Sequence, residues 1–302
     1  MTLTELKYIV ALAEERHFGN AAERCLVSQP TLSIAVKRLE DELSTAIFER
    51  GKAGVEVTPL GERIIAQARE ALASSGKIFD IARSEGDALV QPLRIGAIFT
   101  IGPYLFPRCL PELQEEAPDM PLYIEENFTE TLRQRLIHAE LDAIIVALPF
   151  QEKDVVTQTL YEERFVVMLP HDHALASRKS LRVSDLNDET ILLLGEGHCL
   201  RDQVIEVCST TRDGDPRSTT VGSSLETLKF MIASRLGACI LPKSAAAVPP
   251  ELHEKIAVVP LEDSATHPAP TRTVALAWRA TYPGHAAIDV LRRAVLASQS
   301  ER

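Results

Sequence analysis

From Leu93 onward the apolar residues change their period. Short apolar runs, LRIGAI, LYIEEN and DAIIVAL, alternate with stretches of helical spacing over Pro103 to Glu116 and Thr129 to Ala139, a pattern that reads as βαβαβ. Further runs at FVVML, TILLL, GACILP, IAVVPL and RTVALAW continue it. Residues 90–302 are therefore predicted to form parallel-type sheets flanked by helices, an α/β architecture. With 302 residues and 45% hydrophobic content the chain can bury more than one core, so two or three domains are expected. No apolar run approaches the roughly 18 residues of a membrane span, and Met1 to Gly19 mixes charged with apolar residues, unlike a signal peptide. The expectation is a soluble, cytoplasmic protein. Five cysteines without a CxxC pair fit neither a secreted disulfide framework nor a zinc site, so a disulfide in this chain would act as a switch.

The first sixty residues keep a helical period. Leu6, Ile9, Val10, Leu12 and Ala13 make one apolar stripe of a first helix. Gly19 breaks that pattern, Asn20 can start a second short helix through Leu26, and Val27 with Ser28 forms a tight connection. Ser28 is the expected N-cap of a third helix with Pro30 in its first turn. Leu32, Val36, Leu39 and Leu43 then share one face, leaving Gln29, Thr31, Ser33, Lys37 and Arg38 outward. Two helices joined by a short turn, the second displaying polar and basic residues near its start, can enter a DNA major groove, although an ordinary helical hairpin has the same pattern. Gly51 and Gly54 suit a hairpin tip, and Val55 and Val57 alternate as a strand, so a wing is expected beside the third helix. The net charge of -11 argues against DNA binding by a uniformly basic surface, and motif geometry has to carry that reading.

The string from Leu6 through AAERCLVSQPTLSIAVKRLEDEL to IFERGKAGVEVTPLGE is similar, almost end to end, to the winged helix-turn-helix of LysR-type regulators. The resemblance implies that Gln29, Thr31, Ser33 and Lys37 face bases or phosphates of promoter DNA, with Arg50 on the backbone. The stem of Arg38 can instead pack against its own domain. A homo-oligomer, a dimer of dimers, and contact with RNA polymerase are implied as well. Pro59 sits at the first position of a helix through Ile64, Ile65, Ala68, Leu72, Ile78 and Ile81. That is about thirty residues and about 45 Å. Its apolar stripe needs a partner, so it is read as the family's dimerising linker helix, with a core helix of the larger domain as the alternative. The implied organisation is a winged helix-turn-helix over residues 1–58, a linker helix over 59–88, and a periplasmic-binding-protein-like regulatory domain over 89–302. Lobe I takes about 89–162 and 269–302, and lobe II about 163–268.

The stretch GEGHCLRDQVIEVC, Gly195 to Cys208, resembles the redox-active segment of the OxyR branch of that family. The resemblance implies that Cys199 is peroxidatic and Cys208 resolving. Read as residues alone, the two can equally be unrelated buried cysteines. Gly195 and Gly197 loosen the loop, and Leu200, Val204, Val207 and Cys208 follow at helical intervals, which puts Cys199 at a helix N-terminus. Amide donors and the helix dipole favour a thiolate there, with His198 and Arg201 placed to add to the effect. Nine residues of helix separate the two cysteines by roughly 13 Å, whereas a disulfide needs Cα atoms within about 7 Å. Oxidation must therefore unwind the helix. The short loop returns only roughly 3 kcal/mol of closure entropy, which makes the bond reversible. Gly195 gives the loop more freedom than the family pattern.

By the same resemblance Thr100, Thr129, His198 and Arg272 line a peroxide pocket. Both threonines precede predicted helices, where an N-cap role is also expected, and Arg272 would favour the thiolate and polarise the leaving oxygen. His171 and His173 are expected to be solvated, with no metal site; no cofactor is implied; Cys25, Cys109 and Cys239 are expected to pack. The function expected is a hydrogen-peroxide-sensing transcriptional regulator, not an enzyme, reset by a thioredoxin- or glutaredoxin-type reductant. A LysR-type regulator answering a small-molecule inducer in the interlobe cleft is the alternative. A thiol peroxidase would turn over repeatedly and leave the winged motif unexplained.

Overall fold

Capping residues set where the first helices begin. Thr2 accepts the Glu5 N–H and Glu5 accepts the Thr2 N–H, a reciprocal cap that starts helix α1 (Leu3–Glu15). The ring of His17 accepts the Asn20 N–H at 3.3 Å and starts α2 (Phe18–Arg24). Gly19 therefore lies inside α2, where the sequence reading had it as the break before that helix. Leu26 makes the turn at φ 55°, with its side chain 91% exposed, and Val27 N–H closes the turn on the Ala22 carbonyl. Ser28 caps α3 (Gln29–Leu43) by accepting the Thr31 N–H, with Pro30 in the first turn. Strands β1 (Phe48–Gly51) and β2 (Gly54–Val57) form an antiparallel hairpin with Gly51 opposite Gly54.

The computed structural model describes residues 1–51, 54–83, 87–209, 221–263 and 268–300. It divides the chain into two units, Met1–Ala82 and Arg83–Arg302. Helix α4 (Pro59–Arg83) is 25 residues long, about 37 Å. Its stripe divides: Ile65, Ala68 and Leu72 are buried in one core with Leu6, Ile9, Leu12, Leu32, Leu39 and Ile47, while Ile78 and Ile81 are exposed. The first half of the helix thus packs into the core of the winged unit, while Ile78 and Ile81 further along lie outside that core. Among the described residues no helix is long and apolar enough to cross a membrane.

In the larger unit, β3 (Leu93–Ile98) runs parallel to β4 (Leu122–Asn127) and to β5 (Ala143–Ala147), with α5 (Gly102–Glu116) and α6 (Thr129–Ile137) between them. Strand β6 (Val155–Pro170) then runs for 16 residues. Beyond it come β7 (Leu193–Leu194), α7 (Cys199–Ser209), β8 (Val221–Gly222), α8 (Leu225–Ala233), β9 (Cys239–Pro242) and β10 (Ile256–Pro260). The chain ends on β11 (Thr271–Arg279) and α9 (His285–Ser300). Through Arg164, β6 pairs antiparallel with β11; from Phe165 it pairs antiparallel with β9 and β10. One continuous strand therefore serves two sheet regions and two cores. One core holds Ile95, Leu113, Ile145, Leu276 and Leu291; the other holds Val167, Leu193, Leu200, Ile232 and Ile240.

The parallel-type reading of this region is corrected by β6, β9, β10 and β11, all antiparallel to their neighbours. The first ten residues of β6, VVTQTLYEER, have no apolar run to announce a strand, because much of their side-chain surface is exposed. Close approach of the backbone also fixes the wing against α4. Thr58 accepts the Gly61 N–H and donates to the Ala46 carbonyl, and a Cβ on Gly61 would sit 2.2 Å from the Ile47 carbonyl oxygen. Gly61→Ala is expected to destabilise the winged unit by about 1–3 kcal/mol, read as a lower midpoint in urea unfolding.

Candidate functional site: a cysteine at a helix start

Two parallel strands end side by side, and their C-terminal residues form one wall of a small pocket. Ile98, Phe99 and Thr100 come from the end of β3; Asn127, Phe128 and Thr129 come from the end of β4. Gly197, His198 and Cys199 close the other side from the start of α7. The carboxyl ends of strands are where open α/β sheets collect ligands. The space left among these residues is about 10 Å³, close to the least that admits one water molecule.

Cys199 is the first residue of α7, and Cys208 lies one residue from its end, buried in the second core beside Leu200 and Val204. Neither is in a disulfide. The intact helix separates them by roughly 13 Å of rise, as the spacing predicted. Burial pushes the Cys199 thiol up. The Thr129 hydroxyl, the Arg272 charge and the Leu200 N–H pull it back toward ionisation, and Asp202 opposes them. Desolvation outweighs the favourable groups, so the net direction at Cys199 is upward from the ordinary thiol value. Burial also lowers the His198 imidazole, so it adds no cation here, and Arg201 is engaged with the Leu194 carbonyl at 3.1 Å.

Arg272 is buried and makes three connections. It pairs with Glu163 at 2.8 Å, donates to the Thr100 hydroxyl at 3.1 Å and donates to the Thr100 carbonyl at 2.9 Å. Glu163 in turn accepts the Ser244 N–H at 2.7 Å. The threonines do not cap their helices: the cap positions fall on Ile101 and Phe128, neither with a side-chain bond. Thr100 instead accepts from Arg272, and the Thr129 hydroxyl is buried facing Cys199 with no well-formed hydrogen bond of its own. An unsatisfied buried hydroxyl beside a thiol, in a space for one small molecule, suits a small polar oxidant.

In the winged unit Gln29, Thr31 and Lys37 are exposed on α3 and Ser33 is half-buried. The Thr31 hydroxyl shares a hydrogen bond with the Ser28 cap at 2.7 Å. Arg50 lies in β1, and its side chain is outside the described residues. Arg38 reaches the buried Glu5 at 3.6 Å. Ile34 stands 69% exposed beside Ser33 on the same helix. His173 is half-buried and bonded to Glu189, not solvated. Cys109 and Cys239 are fully buried and their thiols are pushed up to about 11 and about 12 by desolvation, while Cys25 is half-buried at the end of α2. Phe99 and Phe128, which line the pocket, and Glu163 and Ser244, which hold Arg272 in place, were missed; the two rings adjoin Thr100 and Thr129 in sequence, whereas only the fold brings Glu163 and Ser244 together.

Residues 3–62 match the family described as "Bacterial regulatory helix-turn-helix protein, lysR family", and residues 86–300 match "LysR substrate binding domain". The chain belongs to the LysR family of DNA-binding transcriptional regulators. Within that family its similarity runs to OxyR proteins. It is 37% identical over 297 residues to "DNA-binding transcriptional dual regulator OxyR" of Escherichia coli K12, covering 98% of this chain and 95% of the relative. A full-length cysteine-to-aspartate OxyR from Pseudomonas aeruginosa is 53% identical with a TM-score of 0.66, covering 98% of this chain and 94% of that one. A hydrogen-peroxide-bound cysteine-to-serine OxyR of Corynebacterium glutamicum is 31% identical with a TM-score of 0.65, covering 99% and 93%.

Because Arg272 both ion-pairs and supports ionisation of Cys199, Arg272→Ala is expected to act twice. It should raise the Cys199 thiol further, shifting the pH profile of its iodoacetamide alkylation to higher pH. It should also cost about 3–5 kcal/mol in urea unfolding by stranding Glu163.

Proposed function

We propose that the chain is a hydrogen-peroxide-sensing regulator whose DNA binding is switched by a disulfide between Cys199 and Cys208. The observation that carries the reading is the placement of Cys199 at a helix start, in a pocket sized for one small molecule, with Cys208 on the same helix. The ionised Cys199 sulfur attacks one peroxide oxygen; the O–O bond breaks, and the other oxygen leaves with a proton as water, giving a sulfenic acid. The Cys208 thiol then attacks that sulfur and displaces a second water. Thr100, Thr129 and His198 line the reacting space, and the Arg272 charge favours the thiolate and the departing oxygen.

The bond requires α7 to unwind and Cys208 to leave the second core, which couples a local oxidation to repacking of the lobe. Such a bond is reversible by a thioredoxin- or glutaredoxin-type dithiol. In a dimer of dimers the repacking would alter the spacing of paired winged domains on promoter DNA, and with it the presentation to RNA polymerase. Gln29, Thr31, Ser33, Lys37 and Arg50 are the proposed DNA-facing residues.

Reduced protein treated with one equivalent of hydrogen peroxide is expected to yield a Cys199–Cys208 linked peptide by alkylation and mass mapping. Two alkylated thiols would point to a small-molecule inducer instead, and a full DNA-binding response to peroxide in Cys199→Ser would exclude the thiol mechanism. On DNA, Lys37→Ala is expected to weaken binding similarly across sequences and to reduce the salt slope by about one, measured by titration at several salt concentrations.

A further inference from the structure

The wall of the cysteine pocket that faces solvent is aromatic. Of the residues lining it, Phe128 and Gly197 are exposed, Phe99 and His198 are half-buried behind them, and Ile98 and Thr100 are buried. The three rings touch one another: Phe99 and Phe128 centroids lie 5.2 Å apart edge to face, Phe128 and His198 4.9 Å, and Phe99 and His198 5.9 Å. Gly197 is held at φ 88°, and a Cβ there would stand 3.2 Å from the Phe128 ring, so the loop backbone lies against the ring. Edge-to-face packing holds such rings together beyond their buried area. His198 is kept in place by a hydrogen bond to the Ser223 backbone.

We infer that Phe99, Phe128 and His198 form an aromatic lid that sets the size of oxidant reaching Cys199, admitting hydrogen peroxide and excluding alkyl hydroperoxides. The inference rests on the peroxide reading of the site. Both oxidants do the same chemistry: the thiolate sulfur takes one oxygen, the O–O bond breaks, and water or an alcohol leaves with the proton. They differ in what must fit. With free space of about 10 Å³, a molecule of two heavy atoms needs only small ring displacements. A tertiary alkyl group on the leaving oxygen needs a ring removed, and packed interiors yield such space reluctantly. The lid discriminates by shape at the entrance, and Thr129, Thr100 and Arg272 are left to act on whatever enters.

The test uses the full chain carrying Cys208→Ser, so that oxidation stops at the sulfenic acid, trapped with dimedone and quantified on the Cys199 peptide. Hydrogen peroxide and tert-butyl hydroperoxide are compared in that background, with Phe128→Ala and with Phe128→Leu, the latter keeping apolar bulk should the alanine variant fold poorly. The lid predicts that the rate ratio favouring hydrogen peroxide falls roughly tenfold or more in Phe128→Ala, with a smaller fall in Phe128→Leu, because the alkyl rate rises. Alkylation of Cys199 by iodoacetamide and by the bulkier N-ethylmaleimide reads the entrance without peroxide; Phe128→Ala should accelerate the bulkier reagent more. If peroxide oxidises the protein but neither ratio changes, the lid is wrong and the sensor reading stands. If no peroxide reacts yet the alkylation ratio changes as expected, the lid stands and the sensor reading fails.

Discussion

The buried ion pair between Arg272 and Glu163 is the constraint around which the regulatory unit is arranged. Both side chains are 1% exposed, and a charge so far from water persists only with its hydrogen bonds filled. Filling them draws in four stretches of chain: Thr100 after β3, Glu163 in β6, Arg272 at the start of β11 and Ser244 after β9. These stretches come from both sides of the point where β6 passes from one sheet region to the other. The pair therefore fixes the junction of the lobes, and the cysteine pocket is built on its edge. Arg272 has two competing tasks, since the carboxylate that holds it also draws off part of the field that reaches Cys199.

Burial sets the direction at Cys199. A helix start, a hydroxyl and a guanidinium all favour its ionised form, yet burial outweighs them. Cys199 is half-buried beside a space for about one water molecule, so the same walls set both its solvation and its access.

Much of this was legible in the residues. Ser28 and Pro30, the glycine pair at the wing and the strict spacing of Leu32, Val36 and Leu39 are local signals, and α3 and the wing hairpin follow them. LRIGAI, LYIEEN and DAIIVAL became parallel neighbours because each is a short run with helix between. What escaped was non-local. The first part of β6 alternates polar and apolar positions too loosely to stand out, its partner β11 arrives more than a hundred residues later, and with it the antiparallel half of the sheet was hidden. Glu163 in LYEERF looks like a surface carboxylate until the fold buries it against Arg272. The surroundings of the thiol are non-local too: the helix start is readable from local spacing, but the residues across the pocket come from the ends of β3 and β4.

The chain order of the two cores carries a consequence for synthesis. The second core draws on residues from Phe165 to Leu261, a contiguous stretch. The first core is interrupted: β11 sits between β5 and β6, and α9 packs on α5, so its middle strand and one covering helix are made last. As the polypeptide leaves the ribosome, the later-starting lobe can close while the earlier one still waits, its sheet held open at the centre. Lobe I thus receives its middle strand and one covering helix only from residues 271–300, and a nascent chain stalled before Thr271 would hold the cysteine helix and the ends of β3 and β4 without the Arg272 that braces Thr100.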